Sequence, residues 1–105
     1  MREASEMPSL ATRIKTYRGP VGDGRAQLLG FAELVIAGSF VIRDIRIMKV
    51  TSGEKGGTVF VAFPGRKRPG EENKYYDVAH PITSEAYQEA TRTILRAYEE
   101  AVARA

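Results

Sequence analysis

Residues 83–104 read TSEAYQEATRTILRAYEEAVAR, and this stretch sets the layout of the chain. Tyr87, Ala90, Thr91, Ile94, Leu95, Tyr98, Ala101 and Val102 recur at the three- and four-residue spacing of one helix face. Glu85, Gln88, Glu89, Arg92, Arg96, Glu99, Glu100 and Arg104 fall mostly on the opposite face. Thr83 can accept from the open amides of the first turn, and Glu85 sits where the helix dipole is positive. Ile82 and Tyr87 have the spacing of a hydrophobic staple. The pattern predicts an amphipathic helix, which must find an apolar surface to lie on.

The preceding residues supply that surface in β form. Ala11 to Tyr17 alternates, with Thr12, Ile14 and Thr16 on one side and Arg13, Lys15 and Tyr17 on the other. Arg18 to Gly24 is dense in turn formers. Ala26 to Ile36 is apolar and β-prone, and Gly30 near its middle predicts a bend or a close backbone approach. Gly38-Ser39 offers a hairpin turn into Phe40–Lys49. There the apolar phase slips between Ile42 and Ile45, which predicts a bulge at Arg43-Asp44. Thr51 to Gly57 is a polar loop, and Thr58 to Phe63 is apolar on both faces, as a strand covered on both sides would be. Gly65 to Lys74 is charged and irregular, and Tyr75 to Ala79 reads as a short last strand. The fold class is therefore α+β: an antiparallel meander of about five strands followed by one C-terminal helix. One domain is expected over residues 11–105, behind a flexible tail at 1–10. A single helix covers one sheet face, and apolar residues stand on both, so the sequence predicts a homodimer.

Composition narrows the chemistry. The chain has 105 residues, a formal net charge of +3, no cysteine and a single histidine, His80. Disulfide scaffolds, thiolate metal sites and cysteine nucleophiles are excluded. No apolar run approaches the ~20 residues of a membrane helix, and no signal-type segment opens the chain. Asp77 and His80, three apart in an extended segment, should point to opposite faces. No serine stands in a nucleophile elbow, and the glycine clusters lack the strand–loop–helix context of phosphate-binding motifs. No catalytic residue, metal or cofactor is expected, and the chain reads as a non-enzyme.

The residues that could carry function are cationic. Arg66-Lys67-Arg68, between Gly65 and Pro69, is the densest cationic run. It reads either as a loop that contacts several phosphates or as a solvated turn neutralised by Glu71 and Glu72. Arg92 and Arg96 lie one helical turn apart, with Lys74 as a contributor. They are nucleic-acid contacts or partners of Glu89, Glu99 and Glu100. Arg13 and Lys15 on the outer face of the first strand form a third group. Tyr75 and Tyr76 alternate, so one ring should face outward and could stack on an unpaired base.

Four pieces in order resemble the SpoVG family of septation and sporulation proteins. They are Phe40-Val41-Ile42-Arg43-Asp44-Ile45-Arg46-Ile47, Phe60-Val61-Ala62-Phe63-Pro64, Arg66-Lys67-Arg68-Pro69, and Asp77-Val78-Ala79-His80-Pro81-Ile82. The chain departs from the family pattern in a longer Thr51–Gly57 loop, the acidic Gly70-Glu71-Glu72-Asn73, Tyr76 at a commonly basic place, and an extended N-terminal tail. The resemblance implies a sheet plus a C-terminal helix and a homodimeric bacterial regulator that binds DNA, in some members RNA, and influences septation, sporulation and gene expression. It favours Arg66, Lys67, Arg68, Lys74, Arg92 and Arg96 as nucleic-acid contacts. A protein-interaction module in cell division, with incidental nucleic-acid affinity, is the alternative.

Overall fold

The computed structural model describes residues 7–19 and 26–104, with side chains left aside at residues 68 and 71–75. Six strands precede one helix: β1 (Leu10–Thr16), β2 (Ala26–Ile36), β3 (Phe40–Val50), β4 (Val59–Ala62), β5 (Gly65–Arg68), β6 (Glu71–Asp77) and α1 (Ser84–Arg104). β1 to β4 form an antiparallel meander in sequence order, and α1 packs on one face of it, mainly against β1 with further contact to β4 and β2. The α+β class and the C-terminal helix are as the sequence predicts. The loop at Gly22-Asp23-Gly24 lies outside the described residues.

The core is the seam between helix and sheet. Ala90 and Ile94 of α1 close over Ala32, Leu34, Ile45, Ile47, Val61 and Phe63, all buried. Leu95 and Tyr98 pack against this cluster half-buried, as the apolar stripe predicts. Thr83 caps the helix, its Oγ1 accepting from the Ala86 amide at 3.0 Å. Thr83→Ala leaves that amide without its partner and should cost about 1 kcal/mol, read by thermal or urea unfolding.

Two irregularities set which side chains face the helix. β3 places both Arg43 and Asp44 opposite Glu33, so Ile42 and Ile45 both face the core although three residues apart. Asp44 takes a φ of 63°, the left-handed geometry of a bulge residue. This is the bulge expected from the phase slip. In β2, Leu29 is the extra residue between Leu28 and Gly30. Gly30 makes the close approach expected of it: a Cβ there would stand 2.7 Å from the Lys15 carbonyl oxygen. The β2–β3 turn is Ala37-Gly38-Ser39, with φ of 54° at Ala37 and 64° at Gly38, closed by the Ser39 amide donating to the Ile36 carbonyl at 2.9 Å.

The structure corrects five local expectations. The last strand does not extend the meander. β6 pairs with β5 in a separate two-stranded ribbon, so the main sheet has four strands and Arg66 to Arg68 form a strand in place of a loop. The cause is Pro69-Gly70: proline presets the first turn position and Gly70, at φ 82°, takes the left-handed second one, so the chain folds back at once. β4 is an edge strand covered on its helix side alone, and Phe60 is exposed on the other. The hydrophobic staple is not formed, since Ile82 is 87% exposed. Tyr87, on the apolar stripe, is nevertheless 47% exposed, its ring tilted against Phe63 with centroids 6.0 Å apart.

Candidate nucleic-acid interface

The ribbon β5–β6 grows directly out of β4, its base tied by the Val78 amide donating to the Pro64 carbonyl at 2.7 Å. Register places Arg66 opposite Tyr76 and Lys67 opposite Tyr75. Both cations are exposed, and they flank a shallow depression of about 550 Å³ with Pro69, Tyr76, Asp77 and Val78. Neighbours in a strand alternate, so Arg66 and Lys67 leave β5 on opposite sides of its backbone, and each still borders this depression. Arg68 and Lys74 belong to β5 and β6 by their backbones, and their side chains lie outside the described residues. Any pairing of the cations with Glu71 or Glu72 falls there too.

Arg92 and Arg96 border a groove of about 240 Å³ between α1 and β1, together with Thr12, Thr93, Ala97 and Glu100. Arg92 hydrogen-bonds and ion-pairs with Glu89 one turn earlier. That hydrogen bond and the charge behind it push the guanidinium pKa upward. Arg96 is exposed and makes no ion pair with a described residue, so the expected pairing with Glu99 or Glu100 is not made. The helix arginines border β1 while the ribbon is rooted on β4, and those strands are opposite edges of the sheet. The six residues singled out in the sequence therefore fall in two regions of the molecule.

A third basic group is larger than the sequence alone suggests. Arg13 and Lys15 share the open sheet face with Arg43 and Arg46. The signal was present in β3: with Ile45 and Ile47 turned inward, Arg46 between them must point outward. His80 is exposed, and its Nδ1 lies 2.8 Å from the Pro81 carbonyl oxygen, a local bond at the strand-to-helix junction. Among the described residues no three potential ligands gather to hold a metal, and no helix is long and apolar enough to cross a membrane.

The family model named SpoVG matches residues 7–100, which takes in every strand and most of α1. This chain belongs to the SpoVG family. SpoVG relatives are similar over most of the domain. A protein named "Putative septation protein SpoVG" from Heliobacterium modesticaldum is 43% identical over 67 residues, 64% of this chain and 67% of the relative. Its namesake from Clostridium beijerinckii is 41% identical over 76 residues, 72% of this chain and 76% of the relative. The Staphylococcus saprophyticus SpoVG protein is 35% identical over 78 residues, 74% of this chain and 68% of the relative.

Proposed function

We propose that this SpoVG-family chain is a non-enzymatic, cytoplasmic homodimer that binds duplex DNA and acts in septation, for which its relatives are named, and in sporulation-linked gene regulation. The observation that carries the reading is the β5–β6 ribbon. It stands apart from the main sheet and places Arg66 and Lys67 across from two tyrosines. A two-stranded ribbon is narrow enough to enter a major groove about 12 Å wide, where cations on its two faces can reach phosphates.

The dimer is supported by the apolar end of the molecule. Leu10, Ile36 and Phe40 stand in register across β1, β2 and β3. Phe40 is 71% exposed, beside a cleft of about 380 Å³ that Leu10, Ile36, Ile42, Pro81 and Ile82 line. Contact through this end would cover the apolar residues. Light scattering should then give about twice the 11.6 kDa chain mass; a monomer at micromolar concentration refutes the dimer. The same cleft favours, as a second reading, a protein-interaction module in cell division. Absence of duplex binding even at low salt would support it.

The duplex test is Arg66→Ala with Lys67→Ala and Arg68→Ala. Arg66 and Lys67 are exposed, and substitutions of exposed charges usually change stability by less than ~0.5 kcal/mol, so the fold should persist. Affinity should fall on every duplex sequence, and the log–log salt slope should shrink by about 0.9 for each phosphate no longer neutralised. Arg92→Ala with Arg96→Ala is the comparison. Unchanged affinity and slope in the ribbon variant, with binding abolished in the helix variant, would assign the interface to α1.

A further inference from the structure

α1 covers one face of the four-stranded sheet and leaves the other open. On that open face Lys15 of β1, Phe31 of β2 and Arg46 of β3 are directly opposed across neighbouring strands, in one row. Cross-strand neighbours of this kind hold their Cβ atoms about 5 Å apart, so the Phe31 ring stands between two cations. Phe31 is 36% exposed, and the Tyr17 ring meets it edge-on with centroids 6.2 Å apart. In the adjoining row Arg13 opposes Glu33, and the bulge brings Arg43 and Asp44 to the same level. Arg13, Lys15, Phe31, Glu33, Arg43 and Asp44 together line a shallow hollow of about 280 Å³. Glu33 is engaged by Arg43 at 3.5 Å. Arg13, Lys15 and Arg46 make no ion pair with a described residue. The face thus sets four cations against two carboxylates, with an accessible ring among them.

We propose that this open face binds an unpaired nucleic-acid strand, a base stacking on Phe31 while backbone phosphates run past Lys15, Arg46 and Arg13. The proposal deepens the nucleic-acid reading above and rests on it for the class of ligand; the site is separate from the ribbon. A duplex hides the faces of its bases, whereas a single strand offers them for stacking together with a line of charge. A flat sheet with an accessible ring and cations beside it matches that combination. A second copy of the chain is a poor occupant by the same criteria. Face-to-face packing would set the four cations of each copy against only two carboxylates each, burying positive charge that the face cannot pair.

The test follows fluorescence anisotropy of a labelled oligouridine of about 15 nucleotides, within the site sizes usual for single-strand binders. Phe31→Ala should weaken binding about ten-fold. Lys15→Ala and Arg46→Ala should each shrink the log–log salt slope by about 0.7. Both of these side chains are exposed, so these two variants decide the matter if Phe31→Ala melts early. The ribbon triple variant should keep its oligouridine affinity while its duplex affinity falls. If wild-type protein ignores duplex but binds oligouridine through Phe31, the ribbon reading fails and this one stands. Oligouridine binding abolished in the ribbon variant and unchanged in all three sheet variants overturns this proposal. It is also overturned if free uridine monophosphate competes as well per nucleotide as the strand, or if Phe31→Ala turns a dimer into a monomer.

Discussion

Ile94→Ala should lower the unfolding free energy by about 3 kcal/mol, within the range for large-to-alanine changes in packed cores. Ile94 is fully buried, on the helix face that closes over Ile45, Ile47 and Val61. Truncation removes the transfer free energy of the deleted methyl and methylene groups and leaves a cavity, because the packed side chains around it relax only partially. A domain this size holds only about 5–15 kcal/mol in total. The change should therefore appear as a fall in Tm of roughly 10–25 °C. Ile94→Val, which keeps most of the side chain, should cost about 1 kcal/mol. Val102→Ala, at the exposed end of the same helix, should cost less than either. A Tm within a few degrees of wild type for Ile94→Ala would mean that the helix does not dock on the sheet as described.

Gly30→Ala should be nearly as damaging, by the opposite mechanism. The added methyl would lie 2.7 Å from the Lys15 carbonyl oxygen and 3.3 Å from the Thr16 Cα, both main-chain atoms of the neighbouring strand. No rotamer change relieves a clash with backbone, so β1 must shift, at about 2–3 kcal/mol. The amides around this point, including that of Tyr17, which donates to the Leu29 carbonyl at 2.9 Å, should become less protected from hydrogen exchange. Gly38→Ala is the informative contrast. A methyl there meets nothing within 4 Å, and only its φ of 64° opposes it, at a cost of about 1 kcal/mol. Equal destabilisation at the two positions would contradict the close approach of β1 and β2.

The two experiments probe features of different legibility. The helix stripe, the Thr83 cap, the bulge at Arg43-Asp44 and the tightness at Gly30 were each visible in the sequence. The stripe, the cap and the bulge depend on residues a few positions apart, where periodicity and capping act directly; at Gly30 the missing side chain marked the place, though the Lys15 carbonyl it meets belongs to the neighbouring strand. Ile82 marks a limit of that reasoning. Its spacing to Tyr87 suits a staple, but the chain enters the helix at an angle that leaves Ile82 in solvent.

The candidate sites divide along the same line. Sequence alone determined which segments are cationic, that Arg13 and Lys15 share a strand face, and that Arg92 and Arg96 share a helix face. Only the tertiary structure decided that Glu71–Asp77 turns back on Gly65–Arg68 instead of joining the sheet, which sends Arg66 and Lys67 to opposite sides of a ribbon. It alone placed Arg46 in a row with Lys15 and Phe31, across strands more than a dozen residues apart in the chain. The physical reason is that alternation within a strand is a local property of the backbone. The choice of partner strand and register is settled instead by turn geometry and by competition for the one apolar face that the helix covers.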